Sequence, residues 1–176
     1  MDPVIHIVIG CAFAVLWLTG AAHKATSFAR FCVTLREYRL LPPGLARAFA
    51  MAIIGVEIAL GIGALVPVAR PMALIGSSVL LVLYAVAIGV NLSRGRRHID
   101  CGCMGAAHRP SLSGWLVWRN LALAAIALSG SLPVGSRELL WADVISIVAA
   151  VGVSTAMYAA LNRLIANAPE LARLRS

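Results

Sequence analysis

Five long apolar stretches limit what this chain can fold into more than any other feature. They cover residues 4–22, 48–68, 72–92, 115–132 and 139–161. Each approaches or exceeds the roughly 20 helical residues that cross about 30 Å of hydrocarbon. With 61% hydrophobic and 12% charged residues, the chain is far more apolar than a soluble domain. The sequence predicts an all-α integral membrane protein whose single domain, residues 1–176, is a bundle of about five transmembrane helices.

The net charge of +8 would suggest nucleic-acid binding in a soluble protein, but here the basic residues flank apolar stretches. We interpret them as orientation signals and lipid-headgroup contacts. The expected partner is therefore the lipid bilayer and not nucleic acid. The first stretch is preceded by an acid and no base, so we expect a membrane helix rather than a removable signal peptide. Twelve of the fifteen basic residues lie in connections or in the tail that an alternating order of spans places on one side of the membrane. This count predicts that the N-terminus is outside and the C-terminus inside. The twelve are Lys24, Arg30, Arg36, Arg39, Arg47, Arg94, Arg96, Arg97, Arg109, Arg163, Arg173 and Arg175.

The connection after the first stretch has a pattern of its own. Apolar residues recur there near helical spacing, and charged residues fill much of the remainder. This pattern predicts an interfacial helix that begins near Ser27, a competent N-cap, and stops before Pro42, which cannot continue a helix. The apolar positions are Phe28, Phe31, Leu35 and Tyr38.

A pair of cysteines one residue apart, Cys101 and Cys103, lies between the third and fourth stretches. A disulfide between them would close a small ring in which normal dihedral geometry is hard to reach, and such strain makes the bond easier to reduce. Gly102 gives the backbone the freedom that this turn needs. Nearby arginines favour the attacking thiolate, whereas Asp100 opposes it unless it manages protons. The pattern favours thiol-disulfide exchange and makes both cysteines the candidate catalytic residues.

Two other interpretations of the pair stay open. His98, Cys101, Cys103 and His108 supply four nitrogen or sulfur ligands in one loop, although the tight spacing departs from that of common zinc sites. The two thiols could also be unreactive. Cys32 lies on the predicted interfacial helix, on the same membrane side, and could resolve a mixed disulfide with either cysteine.

Glu57 lies near the middle of the second apolar stretch, where an ionised carboxylate is energetically costly. It must therefore be protonated, paired with a cation or turned towards a polar interior. Arg119 in the fourth stretch is one candidate counter-ion, and His23 and Lys24 are alternatives nearer the membrane surface. A structural ion pair and a proton-handling role both remain open.

Several segments together resemble the MauE family of methylamine-utilisation membrane proteins. They are the segment from Asn91 to Gly105 with its Cys-Gly-Cys, residues 112–117 with the Arg119-Asn120 pair, residues 38–42, and Glu57. Many relatives have phenylalanine at the position of Met104, so this replacement keeps a hydrophobic side chain there. The resemblance covers most of the chain, from the first connection through the fourth stretch.

The resemblance implies a multi-pass protein of the cell inner membrane with a four-helix DoxX-like core. It also implies a thioredoxin-like partner, MauD, and a role in maturing the small, quinone-cofactor-bearing subunit of methylamine or aralkylamine dehydrogenase. That client is periplasmic, whereas the charge count places Cys101 and Cys103 on the cytoplasmic side. A membrane quinone could reset the pair, although no motif demonstrates a quinone pocket. The alternative function is that of a non-catalytic or metal-handling membrane assembly factor.

Overall fold

The protein is built from six α-helices in the part of the chain that its computed structural model describes: residues 1–40, 42, 44–96, 113–135 and 137–173, with the backbone alone for 163 and 165–173. These described residues contain no strand. The all-α fold predicted from the sequence is therefore confirmed. The helices are α1 (Pro3–Thr26), α2 (Phe28–Glu37), α3 (Ala46–Leu65), α4 (Arg70–Ser93), α5 (Gly114–Gly130) and α6 (Trp141–Arg173).

Four of these helices are long and apolar enough to cross a membrane: α1, α3, α4 and the part of α6 from Trp141 to Asn162. The fourth predicted span corresponds to α5, whose 17 residues reach about 26 Å and stand at the lower limit for a spanning helix. The fifth predicted span corresponds to the first part of α6, which continues to Arg173. The chain is thus a multi-pass membrane protein.

The core of the bundle joins α1, α4 and α5. Phe13 and Trp17 of α1 pack with Leu74 and Leu81 of α4 and with two alanines of α5. α1 and α3 pack closely at Gly61, where an added Cβ would lie 2.8 Å from the Leu18 side chain. A larger residue at Gly61 would push these two helices apart.

The predicted interfacial helix is present as α2, which packs against α3. Its buried face carries Phe31 and Cys32, which form an apolar cluster with Ala50. Ser27 occupies the N-cap position, as predicted, but its side chain makes no capping hydrogen bond. The helix ends at Glu37, before Pro42, and Arg39 then turns the chain with a positive φ of 47°.

Hydrogen bonds tie the N-terminus to the connection between α5 and α6. The Met1 amino group donates to the Pro133 carbonyl over 2.8 Å, and Arg137 donates to Asp2 over 3.1 Å. Asp2 also caps α1 by accepting the Val4 N–H at 2.8 Å. The start of α1 and the end of α5 therefore share one end of the bundle, as an alternating order of spans predicts. The start of α5 and the ends of α1 and α4 lie at the opposite end.

Candidate functional site

The predicted thiol site lies outside the described residues. Segment 97–112 contains His98, Asp100, Cys101, Gly102 and Cys103, and their roles stay predictions. The structure does describe the two ends from which the segment departs, Arg96 after α4 and Ser113 before α5. Both belong to the end of the bundle where α1 terminates.

A buried ion pair joins the end of α1 to the middle of α3. Glu57 of α3 is 1% exposed, and the Lys24 ammonium donates to both of its carboxylate oxygens, at 2.8 and 2.9 Å. The Tyr84 hydroxyl donates to Glu57 Oε1 at 2.7 Å. Three hydrogen bonds thus satisfy the carboxylate, which is the condition under which a buried ion pair can offset its desolvation.

The position of Lys24 in the last turn of α1 explains how a lysine reaches a carboxylate on α3. Its side chain is buried, and its ammonium lies 5.8 Å from the Phe31 ring centroid and 5.9 Å from that of Tyr84. Gly20, one turn earlier, faces the same pair, and a Cβ there would lie 3.5 Å from Lys24 Nζ, an ordinary van der Waals distance. Of the counter-ions proposed from the sequence, Lys24 is the one in contact with Glu57.

Arg119 was the other candidate for that role, and the structure gives it different hydrogen-bond partners. Its Nη1 donates to Asn162 Oδ1 at 2.9 Å, and its Nη2 donates to Asn120 Oδ1 at 3.5 Å. Its guanidinium lies 5.9 Å from the Tyr158 ring centroid. Arg119 therefore links α5 to α6, and it faces the same cavity as the ion pair.

That cavity has a volume of about 50 Å³. A single water needs at least about 10–15 Å³, so the space accommodates a few water-sized groups. A cavity of about 150 Å³ is known to bind benzene, so this space is smaller than one known to hold a six-membered ring. The lining residues come from five helices: Leu16, Trp17, Gly20, Lys24, Glu57, Leu81, Tyr84, Arg119, Asn120, Leu123 and Tyr158.

Asn120 of the lining carries a buried donor whose hydrogen bond is unmet among the described residues. Asn120 is 2% exposed, and its Nδ2 is buried without a hydrogen-bond partner. By contrast, the Trp17 indole N–H in the same wall donates to Ser77 Oγ at 2.8 Å. The sequence did not lead us to predict Tyr84, Tyr158 or Asn162 as site residues. A polar side chain inside an apolar stretch does signal that a buried partner is needed.

The two described cysteines are free thiols. Cys32 is buried in the apolar cluster that α2 forms with α3, and its role as a resolving cysteine stays a prediction. Cys11 of α1 is half-buried. Within the described ranges no three histidine, cysteine or acidic side chains form a group that could hold a metal ion, and the His98 to His108 ligand set lies outside those ranges.

Taken together, these features define a multi-pass α-helical membrane protein with an ion-paired polar cavity inside its bundle. The family model for the methylamine utilisation protein MauE matches residues 2–133. The chain belongs to the MauE family. The match includes Lys24, Glu57, Tyr84 and Arg119 and ends before α6.

Curated MauE proteins of three bacteria are similar to the chain over most of its length. Methylamine utilization protein MauE of Methylorubrum extorquens is 37% identical over 135 residues, which is 76% of this chain and 73% of that protein. Its counterpart in Paracoccus versutus is 34% identical, covering 74% of this chain and 70% of that protein. The Paracoccus denitrificans protein is 35% identical, with coverage of 73% and 69%. No solved structure matches the chain.

Proposed function

We propose that this protein serves methylamine utilisation as a membrane thiol-disulfide redox protein. In this role it assists disulfide formation and maturation of the small, quinone-cofactor-bearing subunit of methylamine or aralkylamine dehydrogenase. The observation that carries the proposal is the pair of cysteines one residue apart, Cys101 and Cys103, in the connection between α4 and α5. Membership of the MauE family supports the pathway.

The chemistry needs only the two thiols and a partner's disulfide. One cysteine thiolate attacks the partner's disulfide, a mixed disulfide forms, and one partner sulfur leaves as a thiolate. The second cysteine then attacks the mixed disulfide, so the pair becomes oxidised and the partner takes up two electrons. The reverse steps deliver a disulfide to a partner dithiol. Strain in a ring between Cys101 and Cys103 makes its disulfide easier to reduce, so strain favours the direction in which the pair delivers a disulfide to a partner dithiol.

The two helices that the cysteine-containing segment connects, α4 and α5, support this role because they fix where the segment begins and ends. α4 and α5 are extensively packed against each other, and each supplies one end of segment 97–112. Arg96 and Arg97 precede the two cysteines by a few residues in the sequence. Positive charge near a thiol favours the thiolate.

The partners of the exchange follow from the same proposal. A MauD-type thioredoxin-like protein is the direct exchange partner, and the dehydrogenase small subunit is the final client. The pair also needs a second two-electron carrier to reset it, and a membrane quinone is one chemical class that suits a protein of the inner membrane.

Trapping of mixed disulfides tests the proposal. Cys101→Ser and Cys103→Ser are each expressed in cells growing on the amine, and extracts are resolved by non-reducing electrophoresis and mass spectrometry. One variant should accumulate a disulfide-linked complex with a thioredoxin-like protein, because the resolving thiol is missing. Cys11→Ser is the matched control, since that thiol lies within α1, and it should trap nothing.

A second outcome separates exchange from a non-catalytic role. If the double variant, with both cysteines changed to serine, still matured an active dehydrogenase at the normal rate, exchange by this pair would be excluded. Loss of maturation only on deletion of the whole protein would then favour the assembly factor. Stoichiometric metal that is lost with His98 and His108 would favour metal handling.

A further inference from the structure

We infer that the exposed face of α2, which carries Arg30, Val33, Arg36 and Glu37, is a binding site for an anionic phospholipid. This inference goes beyond the proposed thiol exchange and does not depend on it. The sequence indicated headgroup contacts for the basic residues in general, whereas the structure separates the buried side chains of α2 from the exposed ones. The inference is carried by the charge of the exposed face, by the depth at which α2 packs and by the apolar side chains beside the arginines.

The exposed side of α2 and of the turn after it has an excess of positive charge. Arg30, Arg36 and Arg39 are exposed, and Glu37 is the one acid in residues 28–40. Within the described ranges none of these three arginines forms an ion pair with a carboxylate. Two positive charges therefore remain in excess, and anionic headgroups would balance them. Guanidinium groups also match the oxygens of a phosphate in geometry.

α2 lies at a depth that headgroups reach. Its buried side chains pack against Ala50, and Ile53 and Ile54 adjoin the same cluster. These residues lie about 6–12 Å along α3 from Ala46, the first residue of a membrane span. The headgroup region adds roughly 5–8 Å to each side of the hydrocarbon. The exposed face of α2 is therefore near the boundary between headgroups and acyl chains.

Exposed apolar side chains next to the arginines favour a lipid as the occupant. Val33 is one helical turn from both Arg30 and Arg36 and is 49% exposed, and Leu40 and Phe49 are each 42% exposed. Cations and apolar side chains together on an accessible helix surface are typical of helices that lie in the membrane interface. A phospholipid supplies a phosphate for the arginines and an acyl chain for the apolar side chains.

A lipid bound to this face would hold α2 against the buried ion pair. The ring centroid of Phe31 in α2 lies 5.8 Å from Lys24 Nζ. Tyr38, directly after α2, packs with Ile88 of α4 and Leu116 of α5. Binding on the exposed face of α2 therefore stabilises contacts with the helices on its buried side.

Quenching by brominated lipid gives a direct assay. The full-length protein carries Val33→Trp as the reporter, with phenylalanine in place of the three exposed tryptophans, Trp115, Trp118 and Trp141. Trp17 stays as a constant background, because it is 3% exposed. Bilayers mix brominated phosphatidylglycerol with unlabelled phosphatidylcholine, and then the reverse, which gives the relative affinity of the two lipids beside α2. Phosphatidylglycerol should be preferred at least fivefold at low salt, and less as salt screens the charges.

Arg30→Gln with Arg36→Gln removes the charge beside the reporter, and Arg30→Lys with Arg36→Lys is the matched control. The glutamine pair should bring the preference close to one, whereas the lysine pair retains both charges and should keep most of it. A second control moves the reporter to the exposed start of α6 by Val144→Trp. The nearby Arg137 is paired with Asp143, so the preference there should be close to one in every variant.

Amide exchange checks the result without a new tryptophan, which covers the case that Val33→Trp does not fold. In the parent protein, residues 28–37 should exchange more slowly in nanodiscs of phosphatidylglycerol than in nanodiscs of phosphatidylcholine, and the glutamine pair should remove the difference. Exchange that is independent of the lipid, or a preference that the glutamine pair leaves intact, would overturn the inference. If the glutamine pair lost only the disulfide-linked complex with a thioredoxin-like protein, the face would belong to a protein partner and the inference would be wrong.

Discussion

Removing Lys24 while keeping Glu57 is the sharpest test of the buried site. In Lys24→Met the carboxylate stays 1% exposed and keeps the Tyr84 hydroxyl as a hydrogen-bond donor, but it loses the ammonium and two hydrogen bonds. Removing one partner of a buried pair costs about 3–5 kcal/mol. We therefore expect the folding equilibrium of Lys24→Met to fall by roughly 10²–10⁴-fold.

Adding Glu57→Gln to Lys24→Met should restore most of the lost stability. In Lys24→Met with Glu57→Gln no charge remains unpaired, and the glutamine oxygen can still accept from Tyr84. We expect the double variant to lie within about 1 kcal/mol of the parent, because neutral replacement of a buried pair is often tolerated. Glu57→Gln alone leaves the buried Lys24 ammonium without its counter-ion and should also cost about 3–5 kcal/mol. The double-mutant cycle should then give a coupling of roughly 5–9 kcal/mol. Unfolding in detergent by increasing dodecyl sulfate, followed by tryptophan fluorescence, measures each term.

The exposed pair of Arg137 and Asp143 provides the control cycle. Their side chains meet at 2.9 Å at the other end of the bundle, where solvent screens the charges. Neutralising both should reveal a much smaller coupling than at Lys24 and Glu57. Additive effects at the buried pair, or a Lys24→Met protein as stable as the parent, would refute the reasoning.

Two further predictions concern the ends of the bundle. The Val4 N–H, and then the Arg137 side chain, hold the pKa of Asp2 below its usual value. The contribution of Asp2 to stability should therefore be complete above about pH 4. It should fade as the pH falls through the lowered pKa. Amide exchange in the first turn of α1 should accelerate over that range, and Asp2→Asn should abolish the pH dependence. Separately, the positive-inside count predicts that a membrane-impermeant thiol reagent will not modify Cys103 in intact spheroplasts, and rapid modification would reverse the orientation.

Much of the fold could be predicted because the bilayer leaves a helix few alternatives. In hydrocarbon every backbone N–H and C=O must be satisfied within the segment, so an apolar stretch of about 20 residues has to be helical. The stretch 72–92 corresponds to α4, and the pattern around Phe31 corresponds to α2. The match was poorest in the last stretch, because α6 continues past its apolar part to Arg173.

The candidate site was predictable only in part. A carboxylate in the middle of an apolar stretch marked Glu57 as needing a partner, but the choice among Arg119, His23 and Lys24 depends on how the helices pack. Lys24 is 33 residues from Glu57 along the chain, and the close approach of α1 to α3 at Gly61 brings them together. No periodicity in either helix alone contains that information.

From its sequence this chain is predictable as a bundle of membrane helices, with two neighbouring thiols in a connection and one buried acid that needs a partner. Hydrophobic length and local spacing decide those features, and both are properties of single segments. The packing of the helices establishes that Lys24 and Tyr84 satisfy the acid, that Arg119 donates to Asn162, and that Lys24, Glu57, Tyr84 and Arg119 line one cavity. These contacts join residues from five helices, so they depend on the order, rotation and depth at which the helices pack.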